Sequence, residues 1–405
     1  MSVQLPSVPR LLASLRCGES GEASRAAAEC LSMAQEEGPL RDALVASGVL
    51  AALAGLLSSP PSRGRACVTA ARCLSFYAGS ADVRPLAAHA CAPLVLLLAP
   101  DCRADAAACA AAQALWQLSV DCPPCRDAAL AAPECLPRLL SLLSQAEPTS
   151  ESAVCAARCL CELLAERPQA REALRDCGGF AALTSCLHCG LDSHLGGAAC
   201  LALLRCAHSD GLRGGLSDAG KLSWTLINSF SSVEETHAGR LAALLLIALL
   251  FCTGREPNRA AGKLLNRLEI SRHVAALLAA ACEMPPGASS FPLLGTRWTP
   301  FEVCLYARVL AENEDFSGRL ADLGAHSLLA RMLPRCAGST PPLLDAVVGM
   351  THLAGRDLVS SAGRELRAVD DAVASVRSML QSPMHNAVQA FCCAAPAQRE
   401  EEEGA

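Results

Sequence analysis

Between residues 41 and 207 short apolar stretches at helical spacing alternate with polar joints, and the order of stretches repeats. A leucine marks the first stretch of each round: Leu44 in RDALVASG, Leu86 in RPLAAHA, Leu130 in RDAALAAPE, Leu174 in REALRDCG and Leu216 in RGGLSDAG, at steps of 42 to 44 residues. Leu268, Leu320 and Leu366 continue the series at wider steps. Four residues after the leucine stands Gly48, Gly178, Gly220 or Gly324, or a substitute such as Ala90 or Glu134. A second apolar helix is predicted beyond that joint, as in GVLAALAGLLSS (48–59), ECLPRLLSLLSQ (134–145) and GGFAALTSCLHC (178–189). A polar or proline-bearing loop then leads to a third, as in RACVTAARCLSFYA (65–78), DAAACAAAQALWQLS (105–119), ESAVCAARCLCELLA (151–165) and HLGGAACLALLRCA (194–207). Anchored on Leu31, Leu74, Leu115, Leu160 and Leu203, the third helices step by 41 to 45 residues. Two independent anchors share one period, which is the signature of a repeat architecture.

Within the third helices, small residues recur at i, i+3 and i+4. Cys155, Ala156, Cys159 and Leu160 make one apolar face, while Arg158 and Glu162 lie opposite. A three-helix unit of this length cannot bury its own apolar face, so stacking on neighbours must build the core. Two wider steps imply insertions. The clearer one is EMPPGASSFPLLGTRWTP (283–300), whose prolines and glycines forbid a continuous helix. VPRLLASL (8–15) echoes LPRLLSLL (136–143), so the chain enters mid-repeat. The expected organisation is one solenoid over 1–396, with a half-repeat cap at 5–37, an insertion at 283–300 and a disordered acidic tail at 397–405.

The period, the short first helix, the glycine joint and the two longer helices resemble the armadillo repeat family. The patterns G-x-x-x-x-L-x-x-L-L and A-x-x-A-L-x-x-L-A are best matched in 41–207. The likeness is good from about residue 5 to 230 and traceable to about 396. HEAT repeats share the length, but usually have two helices and no glycine joint. The resemblance implies an all-α, right-handed superhelical solenoid of about eight to nine three-helix repeats. It also implies a concave surface lined by third helices and used for protein ligands. Nuclear-import adaptors of that family carry a ladder of Trp and, four residues on, Asn. The matching pairs here are Glu29/Met33, Arg72/Phe76, Gln113/Gln117, Arg158/Glu162 and Leu201/Arg205, with no Trp and no Asn among them. Trp116 stands one position before Gln117, a register that turns it away from the surface. The expected partner-binding residues are therefore Arg72, Phe76, Gln113, Gln117, Arg158, Glu162 and Arg205, for an extended peptide or a helix of another protein.

Composition agrees with a helical chain. Hydrophobic residues make up 52% but aromatics only 3%, and Ala and Leu, which favour helix, supply most of the apolar bulk. A net charge of −6 and a pI near 5.9 leave no basic footprint for nucleic acid. The longest apolar run, Leu241 to Cys252, has twelve residues, whereas a bilayer span needs about twenty. Twenty-four cysteines would make a disulfide framework in a small secreted protein. This chain is long, and residues 1–17 hold two prolines and no apolar run fit for a signal sequence. The expected setting is reducing, cytoplasmic or nuclear, for a monomer without cofactor.

Local motifs yield to the repeat. Gly215 to Lys221 reads G-x-x-x-x-G-K, but Leu222 follows where a phosphate loop needs Ser or Thr, and no strand precedes it. Gly220 is expected to be a repeat joint. Cys122 and Cys125 in DCPPCRD have C-x-x-C spacing without a strand–helix context. Cys186, Cys189, His194 and His208 offer four ligands for zinc, at no tight ligand spacing. Cysteines at 73, 109, 155 and 159 are expected to serve as small buried apolar groups. G-x-S-x-G, H-E-x-x-H and D-x-D-x-D-G arrangements are absent. The sequence therefore points to a non-catalytic protein-binding scaffold or adaptor. The alternative is a metal- or redox-responsive protein on the same scaffold, using 122–125 or 186–208.

Overall fold

The computed structural model describes residues 8–357, apart from 18–19, 36–38, 59–63, 100–104, 146–149, 219–221, 231–237, 253–258, 286–287, 295 and 337–339. The acidic tail, Leu366, Gly220 and Lys221 lie outside the described residues. The chain divides into two compact units, Met1–Val233 and Glu234–Ala405.

The first unit begins with a helix pair, α1 (Val8–Cys17) and α2 (Ser20–Gln35). A full round follows in α3 (Pro39–Ala46), α4 (Val49–Leu57) and α5 (Gly64–Tyr77). In the next round a 3-10 turn (Pro85–Ala90) replaces the first helix, ahead of α6 (Cys91–Leu96) and α7 (Asp105–Ser119). Two complete rounds come after it: α8 (Pro123–Ala131), α9 (Cys135–Gln145) and α10 (Glu151–Leu164), then α11 (Pro168–Asp176), α12 (Gly179–Cys186) and α13 (His194–Ala207). The unit closes with α14 (Asp210–Asp218) and α15 (Leu222–Asn228). Third helices stack in order, α2 on α5, α5 on α7, α7 on α10 and α10 on α13. Gly215 and Leu216 belong to α14, Leu216 fully buried, so this part of the G-x-x-x-x-G-K string is a packed first helix.

The second unit contains α16 (Ala238–Cys252), α17 (Arg259–Arg267), α18 (Ile270–Cys282), α19 (Pro300–Glu312), α20 (Glu314–Asp322), α21 (Ala325–Cys336) and α22 (Thr340–Asp357). Here α16, α19 and α22 pack in succession. The apolar run of α16 is buried on every face from Gly239 to Leu250, and no helix among the described residues is long and apolar enough to cross a membrane. Residues 283–300 carry a small antiparallel hairpin, β1 (Phe291–Leu293) and β2 (Thr296–Trp298). Trp298 anchors it, buried edge-on against Tyr306 of α19 at 6.2 Å. Thr299 and Glu302 then start α19 with a reciprocal capping box.

Gly48, Gly178 and Gly324 all have left-handed backbones, at φ 88°, 75° and 71°, as a sharp turn between first and second helices requires. Glu134 takes the same conformation with φ 60°, so its repeat keeps the turn without glycine. Ala90 does not: at φ −81° it runs straight from the 3-10 turn into α6.

The leucine register needs one adjustment. Leu86 is 58% exposed and Leu130 is half-buried, whereas Ala87 and Ala129 are fully buried. The core positions are Leu44, Ala87, Ala129, Leu174 and Leu216, and each follows an arginine by three residues: Arg41, Arg84, Arg126, Arg171 and Arg213. Those arginines tie the stack together. Nε of Arg126, Arg171 and Arg213 donates to the carbonyl of Ser119, Leu164 and Ala207, the last residues of α7, α10 and α13, at 2.9, 2.9 and 2.6 Å. Arg84 Nε reaches Ala78 O just past α5 at 2.7 Å, and its Nη1 reaches Val120 O at 2.8 Å. Arg41 Nη2 donates to Tyr77 O at 3.0 Å. The carbonyls at a helix C-terminus lack intrahelical donors and lie at the negative end of the dipole, so a guanidinium satisfies both needs.

Candidate partner-binding face

Burial along the third helices of the first unit leaves one open stripe on each. On α5 it comprises Arg65, Val68, Thr69, Arg72 and Phe76; on α7, Ala106, Cys109, Gln113, Trp116 and Gln117. On α10 it comprises Glu151, Val154, Arg158 and Glu162, and on α13 it narrows to His194 and Leu201. The spacing of three and four keeps each set on one helix face. Because the helices stack in order, four stripes form one strip. The small residues of the opposite faces, Ala70, Ala111, Ala156 and Ala199 among them, are buried and hold the helices in that register.

Six of the seven expected partner-binding residues lie on this strip. Arg72 is exposed and Phe76, at 44%, is one of the most exposed large apolar side chains described. Gln113, Gln117, Arg158 and Glu162 are half-buried. Arg205 is not on the strip: it is 3% exposed, donates through Nη1 to Cys161 O and stands 3.5 Å from Glu162 Oε1. Glu162 Oε2 faces Arg126 Nη2 at 3.7 Å. One carboxylate between two buried guanidinium groups draws Arg205 inward, since a buried charge must be paired.

Trp116 joins the strip, against the expectation that it turns away. The guanidinium carbon of Arg158 lies 4.7 Å from its ring centroid, and Arg158 Nη2 approaches His194 Nδ1 at 3.4 Å. A Trp–Arg–His row thus crosses α7, α10 and α13, with Arg158 held over an aromatic face. Cys109 is also on the strip, half-exposed rather than core. A hydrogen bond from Cys155 holds its thiol below the usual range.

The other sequence candidates are scattered. Cys122 and Cys125 are both buried; burial pushes the Cys122 thiol up to about 11, and Cys125, which donates to Arg84 O at 3.0 Å, is raised by its contact with Cys91 and by burial. Cys186 is buried with its thiol pushed up to about 11, Cys189 is half-buried in a 3-10 turn and His194 is exposed beside Arg158. His208 is buried among Arg171, Arg205 and Arg213. Among the described residues no three His, Cys, Asp or Glu side chains converge as metal ligands would.

His208 gives a pH signature. Burial first, then the three arginines, disfavour its imidazolium form and hold its pKa well below the ordinary histidine range. The unfolded chain therefore binds a proton that the folded chain refuses once pH falls below about 6.5. Stability from this site is complete above that pH and is lost on acidification. His208→Gln should flatten the dependence by about 1 kcal/mol between pH 7.5 and 5.5, read as the difference in urea unfolding between variant and wild type. Parallel pH curves for the two proteins would show that His208 charges freely in the fold.

No family model matches the sequence, and comparison with curated proteins finds no match. Solved structures do match. An engineered protein shares 24% identity at a TM-score of 0.53, over 61% of this chain and 97% of its own. A computationally designed armadillo repeat protein for modular peptide recognition matches at 0.52 and 18% identity, over 60% of this chain and 99% of its own. A designed armadillo repeat protein in complex with the peptide (KR)4 matches at 0.51 and 18%, over 60% and 100%. The fold is an armadillo-like helical repeat.

Proposed function

We propose that this armadillo-like chain is a non-catalytic scaffold that holds an extended segment of another protein along the open strip of α5, α7, α10 and α13. One observation carries the reading: on a face where alanine and cysteine would complete the helices, Arg72, Phe76, Gln113, Trp116, Gln117 and Arg158 stand open at helical spacing across three consecutive repeats. Glutamines on α7 suit the amide groups of an extended backbone, which presents one donor and one acceptor per residue. Phe76 and Trp116 supply apolar area of the kind that anchors binding. The likeness to a designed armadillo protein solved with a peptide supports the same use here. The metal- or redox-responsive alternative has no comparable support, because Cys122, Cys125 and Cys186 are buried with thiol pKa values pushed up, the opposite of a reactive thiol.

The test is a comparison of affinity capture by wild type and by Arg72→Glu/Phe76→Ser/Arg158→Glu. Arg72 and Phe76 are exposed and Arg158 is half-buried with no carboxylate partner among the described residues, so the variant should keep its helical circular dichroism and its Tm within a few degrees. Partners recovered with wild type should be depleted at least tenfold from the variant. Equal recovery would remove the strip from the function.

A further inference from the structure

We propose that the partner segment is acidic, with two carboxylates on the same side of an extended strand and six residues apart, one seated at Arg72 and the other at Arg158. This rests on the reading of the strip as a peptide-binding face and adds the chemistry of the peptide.

The first support is charge segregation. The chain as a whole carries −6, yet the strip from α5 to α13 exposes Arg65, Arg72 and Arg158 against the single open carboxylate of Glu151. The other carboxylate on the strip, Glu162, is already neutralised between the buried Arg126 and Arg205. Between Ala106 and Ser119, α7 contributes no charged side chain at all. Among the described residues no carboxylate pairs with Arg65, Arg72 or Arg158, although arginines elsewhere in the unit are paired or bonded: Arg138 to Glu134, Arg167 to Asp127 and Arg213 to Asp210. A strip on which three open arginines outnumber one open carboxylate, on an acidic protein, is matched by an anionic ligand.

The second support is the state of Arg158. Its guanidinium is stacked over Trp116 and steadied by His194, so the planar fork is ordered before a ligand arrives. An arginine held by a ring face still has its edge N–H groups for a bidentate carboxylate, and pre-ordering removes part of the entropy cost of binding.

Third, the geometry sets a spacing. Packed helices stand about 8–10 Å apart, so Arg72 on α5 and Arg158 on α10, two helix steps away, are separated by about 20 Å across the strip. An extended chain rises about 3.3 Å per residue and returns to the same side every second residue, so six residues fit the gap with both side chains facing the arginines. The intervening stretch passes Gln113 and Gln117.

Fluorescence anisotropy of the full chain with labelled (DE)4, (KR)4 and an eight-residue Ser/Thr peptide tests this, with a single-stranded DNA eight-mer as a fourth probe. (DE)4 should bind at least tenfold tighter than (KR)4 and tighter than the DNA, weaken as salt is raised, and lose that preference in Arg72→Glu/Arg158→Glu. A peptide of neutral background with glutamates six residues apart should outcompete one with the same glutamates three apart. If (KR)4 or the DNA binds as tightly as (DE)4, the acidic assignment is overturned. If it is (KR)4 or the neutral peptide that binds and Phe76→Ser weakens it, the peptide-binding reading survives without its charge. If no peptide responds to any strip variant, both fall. Arg158→Gln replaces Arg158→Glu should the reversal lower helicity.

Discussion

Arg205→Glu is expected to cost about 4 kcal/mol of folding stability and to do so without any ligand present. Although Arg205 occupies the same repeat position as exposed Phe76, its side chain is only 4% accessible and Glu162 beside it only 13%. Its Nη1 supplies Cys161 O at the end of the neighbouring third helix, and Arg126 completes the charge set from α8. Glutamate at this place would set two carboxylates together with little water and leave the Cys161 carbonyl without its donor. Removing one member of a buried ion pair costs about 3–5 kcal/mol, because the other charge stays behind uncompensated. Arg205→Met/Glu162→Met together should lose far less than the two single changes added, since the apolar pair leaves no unpaired charge. Urea unfolding followed by circular dichroism measures both. A loss below about 1 kcal/mol for Arg205→Glu would mean that the α10–α13 contact rests on apolar packing alone. Binding experiments on the strip must accordingly leave Arg205 intact.

That case shows where the sequence stopped being readable. Arg72, Arg158 and Arg205 are each arginines on the polar face of a third helix, and helical spacing alone treats them alike. What separates them is the next helix: Trp116 lies under Arg158, Glu162 lies beside Arg205, and Arg72 has neither. The periodicity itself was legible because stacking forces every repeat to bury the same positions. Its phase was legible too, though carried by a different residue than the leucines suggest. All five first-helix strings begin with arginine, and it is Arg41, Arg84, Arg126, Arg171 and Arg213 that stay in step with the buried residue three positions on. Leu86 drifted to the surface because Ala87 satisfies the core in a round whose first helix has tightened to a 3-10 turn. Trp116 was hidden by a family register that asks for an aromatic at the first of two positions four apart; here the ring comes three after Gln113, on the same helix face. The hairpin at 291–298 left no periodic trace, since two three-residue strands are too short for alternation to be counted, and only the prolines around them announced that the helix must stop.

Gly196→Ala is expected to cost about 3 kcal/mol, while Gly318→Ala should stabilise by up to about 1 kcal/mol. Both glycines lie in helices, so propensity alone predicts a gain at each. At Gly318 in α20 nothing lies within 4 Å of an added Cβ, and the residue is exposed. At Gly196, in the first turn of α13, an added Cβ would meet Gly190 O at 2.1 Å and Gly190 C at 2.9 Å. Both are backbone atoms that no side-chain rotation can move. The same loop carries the helix cap: Ser193 Oγ accepts from Gly196 N at 2.9 Å and donates to Gly190 O at 2.8 Å. Pushing Gly190 aside therefore adds the loss of a cap, about 1 kcal/mol, to the overpacking cost. Denaturant unfolding of the two variants should read opposite signs; equal gains would show that the 190–193 loop yields freely. Because His194 sits in this turn and steadies Arg158, Gly196→Ala should also weaken whatever the strip binds, by loosening the stack of Arg158 on Trp116 rather than by touching the ligand.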